Sequence, residues 1–363
     1  MTVLSRKKCG LTTIQSTNRR EHDGAMTQRQ HPIGTGFTAA STADDVLKGI
    51  DLSGKNVIVT GGHRGIGLET TRALSKAGAS VTVAARNPGH AASALAGIER
   101  VDTARLDLLD PASIDAFVTL YLGSGRPLHI LINNAGIMGG ELVRDTRGYE
   151  SHFALNHLGH FQLTLGLLPA LRAAHGARVV NVSSGAQRIS GIRWDDPHFT
   201  TGYDPMLAYG QSKAANVLFA VELDRRWAAD GIRGYAVHPG IVFGTNLGPL
   251  LTDGEERKAW LSDDDLRSMG ILDESGRPVI DPDRERKTPQ QGASTSVFAA
   301  TSPLLADIGG VYLKDNDISP LDESPIDVAF GSDQFPSSDV APHAVDSESA
   351  ERLWELSENM LRI

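Results

Sequence analysis

The sequence predicts a doubly wound α/β fold: a predominantly parallel seven-stranded sheet flanked by helices, built by one domain over residues 46–320. Two observations carry that prediction. Short apolar runs without polar alternation recur between helix-length segments, the pattern of strands buried on both faces of a parallel sheet. A glycine-rich turn joins the first such run to the first helix, and no linker interrupts the alternation between residues 50 and 315.

Taken in order, Asn56 to Thr60 is the first strand, followed by the glycines and an amphipathic helix that stops near Gly78. Ser80 to Ala85 is the second strand, and a turn beginning at Arg86 leads into another helix. Val101 to Leu106 makes the third, and Pro111 suits the first turn of the helix after it. Leu128 to Ile132 is the fourth, before a long helix over residues 148–173 interrupted near Gly159 or Gly166. Arg178 to Val182 is the fifth; the helix from Ala208 to Ala229 turns Val217, Leu218, Val221 and Leu223 toward the sheet. Gly234 to Val237 is the sixth, and a helix over residues 289–300 precedes the seventh, Gly310 to Leu313.

The flanks read differently. Residues 1–45 are expected to be a disordered extension, with Met26 as an alternative start. Segment 249–288, charged and broken by Gly270, Gly276 and Pro278, is expected to be a substrate-loop excursion over the site. Residues 321–363 form a C-terminal extension: extended surface chain to 345, then a helix at 348–362 docked through Leu353, Trp354 and Leu356.

Composition narrows the function. A formal charge of -9 gives no support to nucleic-acid binding. Cys9 is the lone cysteine, so there is no internal disulfide or thiolate metal cluster, and a reducing, cytoplasmic setting is expected. The acidic runs Asp195-Asp196 and Asp263-Asp264-Asp265 read as solvated charge, with no metal expected. No apolar stretch is long enough for an integral membrane segment, and the N-terminus lacks the apolar core of a secretory signal.

The turn Thr60-Gly61-Gly62-His63-Arg64-Gly65-Ile66-Gly67 sits between strand and helix. Glycine there permits a tight turn and close backbone approach to a pyrophosphate, while the helix N-terminus offers unpaired N–H groups. In that setting the turn indicates a Rossmann-type dinucleotide site. The second strand ends Ala84-Ala85-Arg86, without the acid that usually holds the ribose hydroxyls of NAD. Arg86 and Arg64 instead suit a ribose 2'-phosphate, so NADP(H) is favoured over NAD(H). Asp107 and Leu108, after the third strand, are placed for the adenine, and Asn133, Ala135 and Gly136, after the fourth, for the middle of the cofactor.

Tyr209 and Lys213, four residues apart, share one helix face. A carbonyl that accepts hydride needs a proton, and a phenol beside an ammonium can give it. Ser184, after the fifth strand, is placed to hold the substrate oxygen, and Asn156 to brace a water linked to Lys213.

With these residues in view, the chain resembles the classical short-chain dehydrogenase/reductase family, in its retinol-dehydrogenase-like and WW-domain-oxidoreductase-like branch, over about residues 48–315. The resemblance implies that Thr60 to Gly67 bind the cofactor and that Asn156, Ser184, Tyr209 and Lys213 form a catalytic tetrad. It also implies a nicotinamide contact at Pro239 and Gly240, continued by Val242 and by Thr245, which stands one residue later than the usual pattern. The interval from Ser184 to Tyr209 is long, as in that branch, and is expected to wall the substrate pocket with Ile192, Trp194 and Phe199. Phe243 and Leu247 add to a predicted apolar lining. The expected reaction interconverts a carbonyl and an alcohol on a small apolar molecule, and a homodimer or homotetramer fits the family. Two alternatives remain: a non-catalytic NADP(H)-binding sensor or scaffold, and a protochlorophyllide-reductase-like enzyme, which would ordinarily carry an active-site cysteine absent from the body of this chain.

Overall fold

The structure is a computed structural model and describes residues 29–245, 247, 262–268, 270–325 and 337–362. Its strands are β1 (Asn56–Thr60), β2 (Ser80–Ala85), β3 (Val101–Arg105), β4 (Ile130–Asn133), β5 (Ala177–Val182), β6 (Ile232–His238), β7 (Ile241–Val242), β8 (Arg286–Lys287), β9 (Val311–Lys314) and β10 (Asp317–Ile318). The main sheet has eight strands in the order β10-β9-β6-β5-β4-β1-β2-β3, and β7 pairs with β8 separately. Seven of the eight run parallel; β10 is antiparallel to β9. This eighth strand was not expected from the sequence. It follows from Asp315 and Asn316, both at positive φ (53° and 66°), which form a tight two-residue hairpin.

Strand order reverses between β1 and β4, opening a crevice at the carboxyl ends where sheets of this kind bind ligands. On one face lie α1 (Ala43–Val46), α2 (Gly65–Lys76) and α9 (Pro289–Thr301). The other face carries α4 (Pro111–Gly123), a π-helical turn at Phe153–Gly159, α5 (His160–Gly166), α6 (Leu168–Arg172) and α7 (Pro205–Trp227). The remaining helices are α3 (Pro88–Ala94), α8 (Asp263–Ser268), α10 (Pro342–Val345) and α11 (Ser347–Leu361). Local signals start the principal helices. Asp110 and Asp204 cap α4 and α7 ahead of a first-turn proline, and Thr288 with Gln291 forms a capping box for α9.

Two expectations about the flanks change. Residues 29–45 are not a disordered extension. Gln30 donates from Nε2 to the carbonyls of Tyr312 and Ser319 and accepts Tyr312 N–H, while Ala43 and Val46 are buried. The chain at 337–345 is not extended surface either. Val340 bridges Leu321, and Val340 and Ala344 are fully buried because Gln187 pairs with the backbone of Asp339 and Ala341. The helix expected over residues 148–173 is interrupted where the sequence placed the break: the π turn ends at Gly159 and α5 at Gly166, ahead of α6. Residues 1–28, and 249–261 of the expected substrate loop, lie outside the described residues. Among the described residues no helix is long and apolar enough to cross a membrane.

Trp354 of α11 packs edgewise on Phe161 and Trp227 at 4.9 and 5.4 Å between ring centroids, under the Arg226 guanidinium. His157 of the π turn is hydrogen-bonded through Nε2 to Ser357 of α11 at 2.8 Å.

Candidate active site

One cleft runs across the carboxyl ends of the strands. It is lined by the glycine turn after β1, Arg86 after β2, Asp107 and Leu108 after β3, Asn134 to Met138 after β4, Ser183 and Ser184 after β5, and Pro239 to Val242 after β6. Tyr209 and Lys213 reach it from α7, with Thr245 and Leu247 on the far wall. Close approach demands glycine in the turn: a Cβ at Gly67 would lie 2.6 Å from both Asn134 Nδ2 and Gly61 O. Gly65 has φ +54°, and a Cβ there would press on Thr245 at 3.1 Å.

Thr60 ties the turn together. Its fully buried hydroxyl accepts the N–H groups of Asn134 and Ala135, each at 2.9 Å, and meets His160 Nε2 at 2.9 Å. His160 Nδ1 faces the carbonyl of Asn156 at 3.0 Å. A carbonyl can only accept, so Nδ1 carries the hydrogen and Nε2 accepts from Thr60. His160 is thus a neutral tautomer. Burial agrees, pushing its pKa down to about 4.

Asn156 is fully buried and clamps the end of β4. Its Oδ1 accepts Ile137 N–H at 2.9 Å, and its Nδ2 donates to Ile137 O at 3.0 Å and to Ser212 Oγ at 2.9 Å. Ser212 in turn donates to the carbonyl of Tyr209 at 2.7 Å, so Asn156 fixes the first turns of α7 relative to the cleft. Lys213 Nζ donates to Val182 O at 3.0 Å and stands 5.5 Å from the centre of the Tyr209 ring. Burial pushes the Tyr209 phenol up to about 12, opposed by a hydrogen bond with Ser184, and pushes the Lys213 amine down to about 7. The phenol therefore holds its proton at neutral pH.

Ser184 is itself supported. Its Oγ accepts Ala186 N–H, and the next residue, Gly185, donates its N–H to His238 Nδ1 at 3.0 Å. His238 Nε2 pairs with Glu285 Oε2 at 3.0 Å, anchoring the loop after β5 to the one before β8.

Most of the expected site residues line this cleft; seven do not, Gly65 of the glycine turn among them. Asn133, the last residue of β4, points below the cleft, donating to Thr164 Oγ1 at 3.1 Å and Asn181 Oδ1 at 2.8 Å. Side chains alternate along a strand, so the neighbouring Asn134 faces the cleft instead and donates to Thr60 O. Asn156 acts from behind the lining. Ile192 and Trp194 pack on the cluster beneath α7 and α11, with Arg352 4.2 Å above the Trp194 ring. Phe199 is 1% exposed, at φ +50°, with Arg193 over its ring. Phe243 packs on Leu266, Ile271 and Leu272. Thr245, in spite of its displaced spacing, lines the cleft and donates to Val242 O at 3.2 Å. Met138 is a lining residue that the sequence did not single out; Leu155 and His238 also line the cleft, immediately before Asn156 and Pro239 in stretches that match the family, though neither was expected as a site residue.

The short chain dehydrogenase family model matches residues 55–255. A "Probable oxidoreductase" of Streptomyces antibioticus is 43% identical over 321 residues, covering 86% of this chain and 99% of its own. "Retinol dehydrogenase 12" of Mus musculus is 36% identical over 321 residues, covering 86% of this chain and 88% of its own. Among solved structures, the Pseudomonas aeruginosa RhlG/NADP active-site complex superposes with a TM-score of 0.55 at 25% identity, covering 73% of this chain and 95% of that one.

Proposed function

Because this chain belongs to the short-chain dehydrogenase family, in its retinol-dehydrogenase-like branch, we propose that it interconverts a carbonyl and an alcohol on a small apolar molecule with NADP(H). The observation that carries the proposal is the Tyr209 phenol, lining with Ser184 and Lys213 the same cleft as the glycine turn, the Lys213 amine 5.5 Å from its ring centre. The residues fit a dinucleotide, since the Gly61 to Gly67 turn leaves no room for a Cβ at Gly67 and presents the N-terminus of α2 to the cleft. The nicotinamide, when bound, supplies or takes the hydride.

The chain's own residues handle binding and the proton. Thr60, Gly61, Ile66 and Asn134 to Gly136 shape the bed for the pyrophosphate and its neighbours, and Lys213 is placed to bind a ribose hydroxyl. Ser184 orients the substrate oxygen, and Tyr209 gives it a proton as charge develops. Carbonyl reduction draws on the protonated phenol, the form that burial favours here. Ile137, Met138, Leu155 and Leu247 give the substrate end an apolar wall. Preference for the phosphorylated cofactor is supported by Arg64 and Arg86 and by the lack of a carboxylate at the end of β2.

Tyr209→Phe is expected to lower turnover by about 100-fold or more while NADPH binding, followed by nicotinamide fluorescence, stays within a few-fold of wild type. Unchanged turnover across a panel of carbonyls and alcohols refutes the assignment. Replacing Arg64 and Arg86 together by alanine is expected to cut the NADPH/NADH ratio of kcat/KM by roughly 10-fold or more. An unchanged ratio defeats the NADP(H) preference.

A further inference from the structure

Four basic side chains gather at the β2 end of the cleft. His63 and Arg64 come from the glycine turn, Arg86 follows β2, and His90 stands in α3 with its ring 6.1 Å from that of His63. Two arginines suffice for a phosphate. The two imidazoles call for a separate explanation.

His63 lines the cleft, yet its Nδ1 is buried without a hydrogen-bond partner. Every charge acting on His63 is positive: after burial, Arg64, His90 and Arg86 hold its pKa below the ordinary imidazole value. Asp107, after β3, is the one carboxylate lining the cleft among the described residues. It is turned to its own loop, accepting Leu109 N–H at Oδ1, and is not among the charges acting on His63. An imidazole kept neutral by neighbouring cations gains a proton most readily when a dianion arrives among them.

We propose that His63, with the His90 ring beside it, joins Arg64 and Arg86 around the ribose 2'-phosphate, so that binding takes up a proton at His63 and tightens as pH falls. The inference rests on the NADP(H) reading above and adds to it a pH-dependent cofactor selectivity. A protonated His63 adds charge that NAD, lacking the phosphate, cannot use.

The test is calorimetry of the full chain with adenosine 2',5'-bisphosphate and with 5'-AMP between pH 6 and 8, in two buffers of different ionisation enthalpy. The preference for the bisphosphate is expected to fall about 10-fold as pH rises across that range, the yield of a one-unit pKa shift on one imidazole. Net proton uptake should accompany the bisphosphate and not 5'-AMP. In His63→Asn/His90→Asn the uptake should vanish and the fall should shrink to less than about twofold. His90→Asn alone, at an exposed position, should show an intermediate fall and guards against a folding defect. The ligand's own second ionisation, near pH 6, acts in the opposite sense and equally in both proteins.

Equal proton uptake in wild type and double variant overturns the role of His63 while leaving NADP(H) preference standing. Failure of the bisphosphate to bind more tightly than 5'-AMP at any pH removes the NADP(H) reading and the His63 role together.

Discussion

The Thr60 hydroxyl serves two backbone donors and one imidazole at once, and the loop after β4 hangs from it. Thr60→Val keeps the shape and removes the oxygen, leaving Ala135 N–H and His160 Nε2 without this partner and Asn134 N–H with the Ile132 carbonyl alone. A loss of about 2–5 kcal/mol in unfolding free energy is expected by urea titration, with Thr60→Ser close to wild type. The buried histidines make a second prediction. Burial lowers His157 to about 3 and His160 to about 4, so the folded protein holds both neutral while the unfolded chain protonates them near pH 6.5. Their contribution is fully present above pH 6.5 and is lost as pH falls toward 4 and then 3. His157→Leu should therefore show a shallower decline in urea midpoint from pH 6.5 to 4 than wild type. Thr60 was legible in the sequence because it belongs to a local motif. His160 was not, because what it bonds to lies 100 residues away.

At the scale of the element, the π turn Phe153–Gly159 is the part that aims the site. All seven of its residues are buried, and it carries Asn156 into the clamp on Ile137 and Ser212. It starts under the Glu150 carboxylate, which accepts the N–H groups of His152 and Phe153 at 2.8 Å each. It ends at Gly159, where a Cβ would collide with the carbonyl of Leu108. Gly159→Ala is expected to cost about 1–3 kcal/mol and to weaken cofactor binding, because Leu108 lines the cleft; a thermal melt and a nicotinamide fluorescence titration measure the two effects. The sequence shows a helix broken near Gly159 or Gly166, and no more. Whether a turn closes on the fourth or fifth residue is set by partners across the fold, which local periodicity does not report. The Tyr209 and Lys213 pair was readable for the opposite reason, since their relation is contained in one turn of α7.

Across the whole molecule, apolar residues misled where motifs did not. Trp194, Phe199 and Phe243 sit in loops near the site in sequence, and an aromatic in a loop reads the same whether it walls a pocket or plugs the body. The structure buries Phe199 under Arg193 and packs Phe243 on the segment around Leu272. The same ambiguity hid the ends of the chain: residues 29–46 close one edge of the sheet, and α11 covers the aromatic cluster at Phe161, Phe219 and Trp227. Trp354→Ala, at a residue 3% exposed, should lower stability by about 3–5 kcal/mol. Denaturant unfolding checks it, with kcat expected to hold at temperatures where the variant remains folded.

The reach of Gln30 to Tyr312, across 282 residues, also sets a clock on biosynthesis. Ribosomes adding roughly 5–20 residues per second need on the order of a quarter to a full minute to cover that distance. Throughout that interval the nucleotide-binding half has emerged while the glutamine near the start still waits for the carbonyls it will seize. The nascent polypeptide carries an unfilled sheet margin until Tyr312 and Ser319 have been made.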